Sequence, residues 1–335
     1  MEKSLIDEIK ANYGVKPTVF LDTGLIQLNE IWGGGLPLGK IIELYSLEGV
    51  GKTTICLQIA VKLCSDGYKV GYIDAEAALE ESFKESVGVT PYEEAGLFVH
   101  TTATLVRDVE RLTYQLLDYG CKLLIIDSLT AVHNYEPQKQ NKSDVYGSVF
   151  DGQSVGSKSR VQAMYLETVK AQLKKREATL ILINQMRTNI SFHGRVSIEP
   201  AGGTAQRFYA DIRTGISRKG WIVDEEKRNI GVNLELMCIK NKVCAPFRVV
   251  LGNLYFGRGI SVLESIIDTL IEKGVIRQSG AYFKYGDQTF KGKAALKEFV
   301  RDNKESLIIE AGGITSDVSL DTDSEGIVEN SFLDE

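Results

Sequence analysis

No stretch of this 335-residue chain approaches the roughly 18 consecutive apolar residues that a membrane-spanning helix needs. Its first residues, MEKSLIDEIKANYG, mix charge with apolar side chains and lack the hydrophobic centre of a secretory leader. The five cysteines (Cys56, Cys64, Cys121, Cys238, Cys244) are odd in number and never fall in a C-x-x-C spacing, which argues against a disulfide framework. They are expected to be buried free thiols in a reducing, cytoplasmic setting. Three histidines (His100, His133, His193) make no metal or catalytic spacing, and no internal repeat is evident. Basic residues vanish from positions 316–335, where seven acids (Asp317, Asp321, Asp323, Glu325, Glu329, Asp334, Glu335) stand alone. That tail accounts for the net charge of −6, so the body is nearly neutral and overall charge excludes no partner, nucleic acid included. What remains is an ordinary globular composition, long enough for one large domain and one or two small ones.

Through the middle of the chain, short apolar runs alternate with helical patterns. KIIELYS (40–46), KVGYIDA (69–75), CKLLIIDS (121–128) and ATLILINQ (178–185) suit strands buried on both faces of a parallel sheet. Helical spacing covers 53–63, then Leu105, Val109, Leu112 and Leu116, then 160–175. This order predicts an α/β core with a mostly parallel central sheet. The later runs DIRTGIS, NLELMCIKNK and FRVVLG read as an antiparallel extension. Two connections, 131–156 and 186–203, are too long for simple turns and leave from the carboxyl edge of the sheet, where open α/β folds bind ligands. After Gly257, a helix, a hairpin and another helix make a small α+β unit ending near Gly313. The acidic remainder has too little to bury and is expected to be disordered.

Within this frame, SLEGVGKTT (46–54) almost spells a phosphate-binding loop, with Ser46 in place of its first glycine. Such a loop needs a strand, a tight turn and a helix start, so that backbone N–H groups and the helix dipole converge on phosphate oxygens. Glu48, Gly49, Val50, Gly51, Lys52, Thr53 and Thr54 are the candidate cradle. Lys52 would reach the β/γ-phosphates, and the Thr53 hydroxyl would ligate Mg²⁺. Position 46 asks mainly for a small side chain, and its backbone rather than its hydroxyl is expected to face the nucleotide. Asp127, ending KLLIID, is the candidate partner for Mg²⁺. Glu76, ending YIDAE, is the candidate general base for water, and Gln185, ending LILINQ, the candidate γ-phosphate sensor.

Taken together, GGGLPLGKIIELY, GKTT, YIDAE, IIDS, INQMR, GGTAQRFYADIR, IKNKVCAPF and LYFGRGI resemble, in order and spacing, the bacterial RecA recombinase family over most of 1–313. The resemblance implies a P-loop ATPase that binds ATP and Mg²⁺, hydrolyses ATP in response to DNA, filaments on single-stranded DNA and exchanges strands with a duplex. It implies that Glu76 activates water and Gln185 couples nucleotide to DNA, while Lys240 and Lys242 reach the ATP of a neighbouring protomer. Glu80, Phe83 and Phe256 fall at its nucleotide positions. Its division of the chain is a helix and linker for protomer packing (1–33), the ATPase core (34–257), the small α+β domain (258–313) and the acidic tail (314–335). Single-strand-binding and loader proteins would be further partners.

By the same resemblance the two long connections line DNA. Arg160, Arg187, Arg195 and Arg207, with the backbone at Gly202 and Gly203, are the candidate DNA-binding residues, gripping phosphates without reading sequence. Several positions depart from the family: Ser46, Ala77 after Glu76 where histidine is usual, and Phe83 and Phe256 where tyrosines are usual. The first loop is also longer. These departures suit a divergent, phage- or plasmid-borne member. Two rivals stand beside the recombinase: a ring-forming ATPase or helicase of the same core fold, and an ATP-gated recombination mediator without strand exchange.

Overall fold

Continuous apolar runs become central strands only if both of their faces are covered, and that is how the middle of this chain is built. The computed structural model describes residues 17–133, 157–190, 196–200 and 205–310. Two short strands, β1 (Phe20–Leu21) and β2 (Leu36–Pro37), pair on either side of α1 (Ile26–Trp32). The alternating core follows: β3 (Ile41–Ser46), α2 (Lys52–Ser65), β4 (Lys69–Asp74), α3 (Glu81–Val87), α4 (Thr90–Glu94), β5 (Phe98–Thr102), α5 (Val106–Asp118) and β6 (Cys121–Asp127). It continues with α6 (Ser157–Arg176), β7 (Thr179–Ile190), β8 (Val196–Pro200) and α7 (Ala205–Tyr209). The long strands β9 (Ile212–Val223), β10 (Asn229–Asn241) and β11 (Arg248–Tyr255) lead to the two-residue β12 (Gly259–Ile260).

One ten-stranded sheet runs β12-β11-β10-β9-β3-β7-β6-β4-β5, with β8 added to β7. Every neighbouring pair from β5 across to β9 is parallel, and β9, β10, β11 and β12 then alternate in direction. The expected antiparallel extension therefore begins one strand later than the sequence suggested. β9 runs parallel to β3 because the chain returns through α7 to the amino edge before β9 starts. Side chains alternate across the strands. Ile42 and Leu44 join the cluster under α2, with Ile55 and Ile59, while Ile41 faces Leu166 and Leu173 of α6 and Val109 of α5. Burial makes four of the cysteines inert. Cys56, Cys64, Cys121 and Cys238 are buried free thiols, and the Cys64 and Cys121 thiols are pushed up to about 12.

The second long connection differs from expectation. The sequence suggested an irregular segment over 186–203, but its arms continue β7 and pair with β8, Thr188 opposite Ile198 and Ile190 opposite Val196. β-Branched residues at every second position on both arms favour such a ladder. Residues 134–156, the bulk of the first expected DNA loop, lie outside the described residues. So do residues 1–16 of the helix and linker expected over 1–33, Arg195, Gly202, Gly203 and the acidic tail.

Beyond the sheet come α8 (Val262–Glu272), the three-stranded β13 (Arg277–Ser279), β14 (Tyr282–Tyr285) and β15 (Gln288–Lys291), then α9 (Lys293–Asp302) and α10 (Lys304–Glu310). They close over Ile266, Ile267, Leu270, Phe283, Leu296, Val300 and Leu307.

Candidate nucleotide site

At the carboxyl edge of β3, β4, β6 and β7 lies a cleft of about 360 Å³. The turn after β3 forms one wall. Gly51 begins α2 at φ 100°, and a β-carbon there would come within 2.5 Å of Leu254 Cδ1, so only glycine fits. At Gly49, with φ 67°, open space faces the missing β-carbon and leaves the backbone exposed to a ligand. Glu48, Gly49, Gly51, Lys52, Thr53 and Thr54 line the cleft. Val50 does not, because its side chain is buried in the core.

Lys52 is nearly buried, and its ammonium donates to Ser46 Oγ at 2.9 Å, Leu47 O at 3.0 Å and Ser46 O at 3.5 Å. Ser46 Oγ in turn donates to Leu47 O at 2.6 Å. The hydroxyl at position 46 thus serves as a seat for the lysine, a contact that the sequence reading did not include. The reason is geometric: the side chain at the end of β3 turns back under the loop and meets the lysine stem rising from α2. Burial lowers the Lys52 pKa, against the pull of Asp127 and Glu76. An anionic ligand beside it would oppose that lowering.

Across from Lys52, Asp127 Oδ2 accepts hydrogen bonds from Thr53 Oγ1 and from Tyr72 OH, both at 2.7 Å. Burial raises its pKa, opposed by these two donors and reinforced by Glu76 and Asp74. A carboxylate and a hydroxyl facing one point at the mouth of a phosphate cradle fit Mg²⁺, which takes few protein ligands and completes its shell with water and phosphate. Among the described residues, no cluster of three or more His, Cys, Asp or Glu could hold a metal unaided.

Glu76 is exposed in the cleft, and its Oε1 accepts from Ser128 Oγ at 2.6 Å and from Gln185 Nε2 at 3.1 Å. The turn carrying it is held by Asp74, whose carboxylate accepts from the Glu76 N–H at 3.1 Å and the Leu79 N–H at 2.9 Å. Ala77, next in line, sits at φ 51°, a left-handed conformation costing about 1–2 kcal/mol that the surrounding bonds must hold.

Phe83, Phe256 and Leu254 supply apolar side chains to the lining of the cleft. Glu80 is exposed outside the lining and starts α3 through its carbonyl, which accepts from Phe83 and Lys84 N–H groups.

Lys240 and Lys242 are elsewhere. The register Asn241–Ile212–Ile42 puts them at the amino edge of the sheet, while Ser46 and the cradle stand at the carboxyl edge. Four residues of strand, at ~3.3 Å each, separate the two ends, so these lysines cannot reach their own chain's cleft. Lys240 Nζ donates to Arg207 O at 2.6 Å and Phe208 O at 3.2 Å, and Lys242 Nζ lies 3.8 Å from Asp211 Oδ1. Of the candidate DNA residues, Arg160 is exposed on α6 and Arg207 is half-buried on α7. Arg187 lies on the hairpin arm of β7, opposite Glu199 in register.

The sequence reading missed Tyr72, Ser128 and a buried polar link behind the site. Glu43, wholly buried in β3, is ion-paired with Arg213 of β9 and accepts from Asn184 Nδ2 at 2.8 Å. The same amide donates to Gln206 Oε1 of α7 at 2.7 Å. A lone acid inside the run KIIELYS was the available signal, since a buried carboxylate needs partners.

Comparison with known proteins agrees with this geometry. The RecA N-terminal domain profile matches residues 10–261. Protein RecA of Wolinella succinogenes is 33% identical over 329 residues, covering 95% of this chain and 91% of that protein. Protein RecA of Cereibacter sphaeroides is 31% identical over 303 residues, 90% of this chain and 85% of that one. Protein RecA of Frankia casuarinae is 33% identical over 289 residues, 86% and 80%. A match across most of the chain, joined to a phosphate cradle on a parallel α/β sheet, makes this protein a member of the RecA family.

Proposed function

We propose that this chain is an ATP-dependent homologous recombination protein, one that forms filaments on single-stranded DNA and catalyses homology search and strand exchange with DNA-stimulated ATP hydrolysis. The observation carrying this reading is the Gln185–Glu76 hydrogen bond at the foot of the β7–β8 hairpin. One amide touches the candidate base in the cleft and begins the segment proposed to grip DNA.

In this reading Lys52 leaves Ser46 for the β/γ-phosphates while the Gly49–Gly51 backbone closes on the other oxygens. Thr53 and Asp127 would hold Mg²⁺, which neutralises charge on the triphosphate. Glu76 orients water in line with the γ-phosphorus and takes its proton. Gln185 exchanges its bond to Glu76 for one to the γ-phosphate, which pulls on the arm of β7. Asn184, the next residue, passes that movement through Glu43 and Gln206 to β3 and α7. Lys240 and Lys242, unable to serve their own cleft, complete the site of an adjacent protomer, so the working unit is a helical homo-oligomer. Arg160, Arg187, Arg195 and Arg207, with the backbone at Gly202 and Gly203, hold phosphates of single- and double-stranded DNA.

The domain division goes with this: 1–33 for protomer packing, 34–257 for the ATPase core, 258–313 for the small domain and 314–335 for the acidic tail. The protein acts in the cytoplasm, that of the host if it is phage-encoded, with single-strand-binding and loader proteins as further partners. Among the described residues no helix is long and apolar enough to cross a membrane.

The test is ATP turnover with and without single-stranded DNA, with negative-stain images of the same samples. DNA-stimulated turnover on helical filaments is expected. Closed rings, or turnover indifferent to DNA, would overturn the reading.

A further inference from the structure

The mouth of the cleft carries two large aromatic rings that the chain leaves half in solvent. Phe256 is 49% exposed and Trp221 46% exposed, and they pack edge to face, ring centroids 6.4 Å apart at 70°. The Arg218 guanidinium covers the indole at 4.2 Å from its centroid.

The contact has a backbone cause. Arg218 and Trp221 are three apart on β9, a spacing that would put them on opposite faces of a regular strand. Between Asn233 opposite Gly220 and Leu234 opposite Arg218 the register skips Lys219. That bulge returns Arg218 and Trp221 to one face. The turn bearing Phe256 is pinned to the same hairpin, where the Phe256 N–H donates to Ile230 O at 3.0 Å. Guanidinium, indole and phenyl thus form a short series of ring contacts ending at Phe256, which lines the cleft.

We propose that Trp221 is a positioning residue for the nucleotide base: it holds the Phe256 ring in the orientation on which the purine stacks, and Arg218 holds Trp221. This rests on the nucleotide-site reading above. A half-exposed phenyl has rotamers to lose when a base lands on it, and a neighbour that restricts the ring beforehand removes part of that loss. Trp221 therefore acts on the base and not on the phosphates.

The experiment uses the full chain and its Trp221→Ala and Trp221→Phe variants, with equilibrium binding of ATP and of inorganic tripolyphosphate, both with Mg²⁺. Loss of an edge-to-face aromatic partner predicts about 3- to 10-fold weaker ATP binding for Trp221→Ala. Tripolyphosphate affinity should stay unchanged, and Trp221→Phe should recover most of the loss. The chain has two tryptophans, and Trp32 is buried in the core. ATP, but not tripolyphosphate, should therefore change the indole emission, and the change should vanish in Trp221→Ala while Trp32 emission persists. Equal ATP affinity for parent and Trp221→Ala overturns the proposal, as does an equal loss for both ligands, the mark of a general structural role. A parent that binds neither ligand overturns the nucleotide site itself, and this proposal with it.

Discussion

Replacing Ser46 by glycine restores the usual phosphate-loop residue, yet the structure says that the change is not neutral. Lys52 has three oxygen partners within the protein, and Ser46 Oγ at 2.9 Å is the shortest of them. A hydrogen bond to a charged group is worth roughly 1.5–3 kcal/mol. The two carbonyls that remain at 3.0 and 3.5 Å recover part of it, leaving a net loss of about 1 kcal/mol in the empty state. Glycine adds about 0.4–1 kcal/mol more through the freer unfolded chain. Ser46→Gly should therefore be about 1.5–2 kcal/mol less stable without ligand. Lys52 gives up the Ser46 bond when it moves to phosphate, so a protein that never makes the bond loses nothing on binding. ATP should then bind about 5-fold more tightly, since tenfold corresponds to about 1.4 kcal/mol. Ser46→Ala separates the two terms: it lacks the hydroxyl but not the backbone restriction, so it should match the gain in affinity with a smaller loss of stability. Calorimetric titration with ATP and urea melts of the three proteins supply the numbers, with Lys52→Ala as the variant expected to lose most phosphate-dependent binding. Weaker ATP binding by Ser46→Gly, or identical affinities in all three, would refute the argument that the lysine is released from this seat.

Glu76→Gln keeps the shape of the cleft but removes the proposed base, so steady-state hydrolysis should fall ~10²–10⁴-fold while ATP binding and filament assembly persist; normal turnover would place the base elsewhere. Lys240 and Lys242 should work in trans: mixing an inactive Lys52→Ala chain with an inactive Lys240→Ala/Lys242→Ala chain should restore partial ATPase, and no recovery in demonstrably mixed filaments would count against a shared site. In the C-terminal unit, Glu264 accepts from Lys297 Nζ at 2.6 Å, Tyr255 OH at 2.9 Å and Asn253 Nδ2 at 3.0 Å. Burial would push this carboxyl up, but the three donors more than reverse it and hold its pKa below 4.5. A lowered folded-state pKa means that the stabilisation is complete above the unfolded value and fades as pH falls through the folded one. Glu264→Gln should thus be about 1–3 kcal/mol less stable at neutral pH, with the gap closing below about pH 4; a pH-independent gap in urea melts would contradict the assignment.

Strands buried on both faces and amphipathic helices carry their periodicity in local sequence, which is why β3, β4, β6, β7 and the helices α2, α5 and α6 were legible within a few residues. The phosphate loop was legible for a related reason. A chain that must turn sharply and expose its N–H groups can do so only with glycine at positions 49 and 51, and Lys52 and Thr53 then follow at fixed distance. Less was visible wherever the signal was short or shared between distant segments. β5 and the small helices α3 and α4 lack a long periodic run, and the pairing of β8 onto β7 depends on two arms finding each other.

The side-chain network of the site belongs to tertiary structure. Tyr72, Ser128 and Gln206 are unremarkable in sequence, and only the parallel order of β3, β7, β6 and β4 brings their polar atoms to Asp127, Glu76 and Asn184. The same applies to Ser46, which reads as a small residue at a strand end until the lysine of the next helix folds back onto it, and to Arg218 and Trp221, which share a face only because a bulge drops one residue from the register of β9. Sequence alone determined the phosphate cradle and the family's chemistry, because those need particular residue types at fixed spacing along one segment. Tertiary structure decided which hydroxyl seats the lysine, which rings pack together beside the cleft and which edge of the sheet carries Lys240 and Lys242, because each of these depends on distances between segments far apart in sequence.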